Sequence, residues 1–180
     1  LLSTGQVDRA LTLLKKLRQI KPEDPSILNN LATAYVRKNQ MHEAFQIYNE
    51  AIDIHGDYFL LHFNLGTAYE LSGDRERALN HFDRVLELRP TMSRALQRRA
   101  MLLSDLGRHD EALTAIEEAI MAGAGTAQMS FYAGLIKGSK GKWLEAVREF
   151  ETAINIDPRM VRSYLFLGHA LIELNRFDEA

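Results

Sequence analysis

Between Val7 and Ile20 the apolar side chains fall at Val7, Ala10, Leu11, Leu14 and Leu17. Those steps of three and four residues place them on one face of a helix. The same spacing returns in Leu28, Leu31, Ala32 and Tyr35, and again in Ala44, Ile47, Tyr48, Ala51 and Ile54. Turn-forming residues separate the runs. Positions 5, 39, 73, 107, 141 and 175 read Gly, Asn, Gly, Gly, Gly, Asn, the residues that enter left-handed backbone geometry most cheaply after a helix. Alanine stands at 10, 44, 78, 112, 146 and 180, and proline at 22, 90 and 158. All three registers share a step of 34 residues or twice that, so the pattern predicts paired helices repeated along the chain.

The repeats are expected at 25–58, 59–92, 93–126 and 127–160, flanked by partial ones at 1–24 and 161–180, in a single array. Residues 1–3 read as the last turn of a helix, with Gly5 making the turn after it. Pro22 and Pro25 stop one helix and start the next, with Asp24 as its N-cap. In the third repeat, small Gly66 and Ala78 let two helices approach, while Leu65, Tyr69, Phe82 and Leu86 fill the space around the crossing. The fourth repeat places Arg99 at the register of Leu31, Leu65 and Leu167. The fifth places Lys137 where Tyr35 and Tyr69 stand. Gly134 and Gly138 should each weaken its first helix by about 1 kcal/mol relative to Ala, making that helix the loosest. In the sixth, Tyr164, Leu167, Leu171 and Phe177 lack their usual neighbours, an apolar end that should seek another repeat or another copy of the chain. The chain opens inside one repeat and stops inside another, and so reads as a fragment.

Residues Phe59 to Met92 contain His62-x2-Leu65-Gly66-x2-Tyr69, then Ala78-x3-Phe82, then Pro90. This resembles the tetratricopeptide repeat, with His62 where that pattern prefers Trp. The resemblance covers the full chain and implies an all-α fold: a right-handed α–α superhelix of antiparallel helix pairs. It also implies a concave groove, lined by the first helix of each pair, that holds an extended peptide of a partner protein. Wall residues on this reading are Asn29, Asn30 and Thr33, then Phe63, Asn64 and Thr67, then Arg94, Gln97, Arg98 and Phe131. Ser26, Arg37, Glu70, Met101, Leu135, Leu165 and His169 fall on the same wall.

The stretch Ser93 to Ala100 resembles the third repeat of carboxylate-clamp tetratricopeptide domains, which hold the C-terminal carboxylates of chaperone tails. Asn64 and Arg98 match clamp positions, and Arg94 replaces a Lys. Asn29 stands at the first Lys position and Thr33 at the first Asn position. The missing cation turns the expectation towards an internal acidic or polar segment gripped by Arg94, Arg98, Asn30 and Asn64. Asn30 and Asn64, one repeat apart, also resemble the asparagine ladder of repeat arrays attached to a sugar-transferring enzyme. A regulatory or substrate-selecting arm of a larger enzyme, such as a transferase, is one alternative function. End-to-end structural assembly is the other.

Composition narrows the choice. The 180 residues are 46% hydrophobic and 26% charged, with a net charge of −2, which supplies no basic field for nucleic acid. No apolar run approaches the ~20 residues of a membrane span, so no membrane insertion is expected. The absence of cysteine fits a reducing compartment such as the cytoplasm. No two of the six histidines stand at metal-ligand spacing, so neither metal nor cofactor is expected. Gly138-Ser-Lys-Gly-Lys142 lacks both the first glycine and the Ser or Thr of a phosphate loop, and reads as a turn. The residues assemble no nucleophile or acid–base pair, so a binding protein is expected rather than an enzyme.

Overall fold

The computed structural model describes residues 4–175; the turn expected over 1–3, together with Phe177 and Ala180, lies outside the described residues. Ten helices and no strands are present among them. These are α1 (Thr4–Ile20), α2 (Pro25–Arg37), α3 (Met41–Ile54), α4 (Phe59–Ser72) and α5 (Arg75–Leu88). Then come α6 (Ser93–Asp105), α7 (His109–Met121), α8 (Ala127–Ser139), α9 (Trp143–Ile156) and α10 (Val161–Glu173). Helices α2, α4, α6, α8 and α10 therefore begin 34 residues apart, at 25, 59, 93, 127 and 161. The fold is an all-α helical-repeat superhelix by class.

The helix ends follow from local chemistry. Pro25 occupies the first turn of α2, and the Asp24 carboxylate accepts from the N–H groups of Ser26 and Ile27 at 3.0 and 3.2 Å. Asn39, Gly73, Gly107, Gly141 and Asn175 all take positive φ, between 57° and 85°, and turn the chain after a first helix. Gly5 differs. It lies in the first turn of α1 and takes no positive φ, because the helix already runs from Thr4.

The chain divides into two compact units, meeting between Pro90 and Thr91. In the first unit α2 packs on α3 and α4 on α5 as hairpins, and the first helices α2 and α4 also touch. Its core holds Leu28, Leu31, Tyr48, Leu61, Leu65 and Phe82, each 1% exposed or less. A Cβ on Gly66 would lie 3.3 Å from the Ala78 carbonyl and from the Phe82 ring, so glycine there sets how closely α4 and α5 cross. In the second unit α6 pairs with α7 and α8 with α9, while α8 touches both α6 and α10.

Helix α8 is packed more closely than its glycines suggested. Eight of its 13 residues are buried, Gly134 and Gly138 among them. A Cβ on Gly134 would stand 2.6 Å from the Phe150 ring, and one on Gly138 would stand 3.1 Å from the Trp143 ring. The glycines lower helix propensity, yet they let two aromatic rings of α9 lie against the α8 backbone. Close packing outweighs the local preference.

Candidate functional site

In the first unit the expected wall residues sit along α2 and α4. Asn30 is exposed; Thr33, Phe63, Asn64 and Thr67 are half-buried; Asn29 is buried. The Asn64 side-chain amide donates to Asn29 Oδ1 at 2.8 Å, which ties the two helices together. Thr33 Oγ1 donates to the Asn29 carbonyl at 2.8 Å and accepts from the Tyr48 hydroxyl at 2.8 Å. Burial pushes the Tyr48 phenol up to about 12, which keeps it protonated as that donor, although the bond to Thr33 pulls the other way. Thr67 Oγ1 donates to the Phe63 carbonyl at 2.9 Å, and the Phe63 ring meets Phe82 edge-on at 5.6 Å. Both threonine hydroxyls thus hold their own helix backbones, while the asparagine amides bridge neighbouring helices.

In the second unit Arg94 is exposed on α6, with Gln97 and Arg98 half-buried beside it. Phe131 on α8 is only 2% exposed. The Phe166 ring packs against it at 5.5 Å, and the Arg162 guanidinium stands 5.0 Å from its ring centre. Asn29 and Phe131 occupy one register, 102 residues apart, or three repeats. In each unit that register faces the next first helix, through Asn64 on α4 or Phe166 on α10. These side chains line a seam between helices rather than an open face.

Three further features take their partners only through folding. The first is a pair of histidines, 19 residues apart. His62 Nε2 donates to the Gly56 carbonyl at 3.0 Å, so its Nδ1 accepts from His81 Nδ1 at 3.1 Å. Burial lowers both imidazoles, His81 to about 4 with added repulsion from His62, so both are neutral at pH 7. Tyr69 stacks on His81 and Phe45 on Tyr69. No group of three or more candidate ligands is placed to hold a metal among the described residues. The second feature concerns the basic end of α1. Arg18 donates to both oxygens of Glu50 at 2.6 and 2.7 Å, and Lys15 stands 5.5 Å from the Tyr35 ring centre. The third is a pocket of about 120 Å³ in the second unit, lined by Gly134, Gly138, Trp143, Phe150 and Phe166 together with Leu135, Ser139 and His169. Its only sequence signal was two glycines four residues apart on a helix followed by one rich in aromatics.

First helices that begin 34 residues apart, each packed on the helix that follows it, define a helical-repeat protein. Models of the tetratricopeptide repeat match residues 23–91, 70–130 and 161–180, and the chain belongs to that family. The fold is a scaffold for protein–protein interaction and is typically non-catalytic. The chain is 30% identical over 149 residues to protein FlbA of Caulobacter vibrioides, covering 79% of this chain and 25% of that one. It spans about a quarter or less of the length of the curated relatives it matches. A tetratricopeptide repeat protein from Parabacteroides merdae superposes with a TM-score of 0.80 at 22% identity, over 96% of this chain and 68% of that one. YrrB, described as a repeat protein with an unusual peptide-binding site, superposes with a TM-score of 0.76 at 23% identity, over 90% of this chain and 84% of its own. No helix among the described residues is long and apolar enough to cross a membrane.

Proposed function

We propose that the walls of first helices take up an extended segment of a partner protein. The Asn64–Asn29 bond carries this reading. It uses one donor of Asn64, leaving the half-buried Asn64 Oδ1 with capacity for a second chain. A side-chain amide offers both donor and acceptor, so it pairs with a peptide backbone whatever the sequence. In the second unit Arg94 and Arg98, four residues apart on α6, give the wall positive charge that favours an acidic segment. Asn29 stands where a terminal-carboxylate clamp has Lys, and its amide is engaged by Asn64, so an internal segment suits the wall better than a chain terminus. The peptide-binding site named for YrrB supports the same reading.

Peptides selected from a random library by the full chain test it, with affinities measured by calorimetry. Arg98→Ala is expected to weaken acidic ligands by about 2 kcal/mol, and Asn64→Ala to weaken ligands of the first unit by about 1 kcal/mol. Unchanged affinity in both variants, with helicity retained, would remove the walls as the binding surface.

A further inference from the structure

We infer that the pocket between α8, α9 and α10 is a socket for one apolar side chain, of leucine or methionine size, on the segment bound by the second unit. The inference rests on the peptide-binding reading above. Gly134 and Gly138 of α8, Trp143 and Phe150 of α9 and Phe166 of α10 line the pocket. The rings brace one another: Phe150 lies 6.0 Å from Phe166, and Trp143 meets His169 edge-on at 5.7 Å.

Gly138 seats the Trp143 ring that bounds this space, since a Cβ there would stand 3.1 Å from that ring, and so makes the space particular to one repeat. Its register holds Val36, Glu70, Ser104 and Ile172 in the other first helices, whereas the Gly134 register is small throughout, with Ala32, Gly66, Ala100 and Gly168. Leu135 and His169 also line the pocket, and both belong to the wall expected to meet a partner. The apolar surface continues along α10, where Leu165 is 68% exposed and Phe166 38%. The occupant is therefore reached from the wall itself.

Size and polarity select the occupant. A dry apolar cavity of about 150 Å³ takes up benzene, so about 120 Å³ suits a leucine or methionine side chain. A charged or amide group would be desolvated among the aromatic faces that dominate the lining. His169, the imidazole in the lining, lies 3.8 Å from Glu173.

The chain has a single tryptophan, Trp143, so its emission reads the pocket directly. Titrating the full chain with N-acetyl-leucinamide should change that emission saturably, and N-acetyl-glycinamide should not. Peptides selected from a random library should share Leu, Met or Ile at one position. Gly138→Val, the residue already present at that register in the second repeat, should abolish the leucinamide response and weaken those peptides roughly 10- to 100-fold. Should that variant lose helicity, Leu135→Ala widens the mouth without adding atoms and should shift selection towards Phe or Trp. If selected peptides share no apolar position, or a folded variant leaves their preference unaltered, the socket is overturned while peptide binding stands. If no peptide is selected at all, both readings fall. Emission that changes with protein concentration alone would put a second copy in the pocket and overturn the inference.

Discussion

His62 and His81 stand at the registers that Leu28 and Ile47 fill one repeat earlier, so a polar pair replaces an apolar one in the same kind of space. The exchange has a pH signature. Both folded imidazoles are lowered by burial, while in the unfolded chain they take protons near pH 6.5. Above pH 6.5 the pair's contribution is fully present. As pH falls from 6.5 towards 4 the unfolded state binds more protons than the folded one, and stability is lost. The loss should reach roughly 2 kcal/mol after allowance for partial exposure. Urea unfolding at pH 7 and pH 4.5 checks it. The double variant His62→Leu with His81→Ile should flatten the difference, and an equally steep loss in that variant would place its origin elsewhere.

Helix α8 shows where propensity misleads. Gly134→Ala improves helix propensity by up to about 1 kcal/mol, but its methyl would meet the Phe150 ring at 2.6 Å. The expected net effect is destabilisation of about 1–3 kcal/mol, measured as a lower urea midpoint. A stabilised variant would show that α8 and α9 separate readily. The same contrast marks what the sequence made legible. Asp24, Pro25, Gly66 and the left-handed turn residues act within one helix or one hairpin, so their roles follow from spacing alone. Gly134, Gly138 and the two histidines take their roles from side chains that folding brings to them. Asn29 and Phe131 fell on the expected face, but the neighbouring helix lies over them, and one helix's periodicity carries no trace of that cover. The pocket stayed hidden for the same reason.

Taken whole, the molecule is a chain of local cores. Phe82 is fully buried in the first unit, whereas Trp143 belongs to the second. In a repeat protein stability is close to a sum of nearest-neighbour terms. Phe82→Ala, costing about 3–5 kcal/mol, should therefore lower the unfolding midpoint seen by circular dichroism more than the midpoint seen by Trp143 emission. Equal shifts by both probes would show that the repeats melt as one body. Binding in the two units should also separate, with Arg98→Ala sparing any ligand that depends on Asn64.

The corners at Asn39 and Gly73 share one backbone geometry, φ 60° and 85°, and lie one period apart. Excising 40–73 would join Asn39 to Asp74 and let α2 fold back on α5 through a corner of familiar shape, giving a shorter protein with every later helix still facing inward. Taking out one residue fewer would leave an extra residue in that corner and spoil its geometry, whereas a residue lost inside a helix would rotate the rest of that helix by about 100°. Whole multiples of the period are therefore the changes of length this architecture takes up most readily.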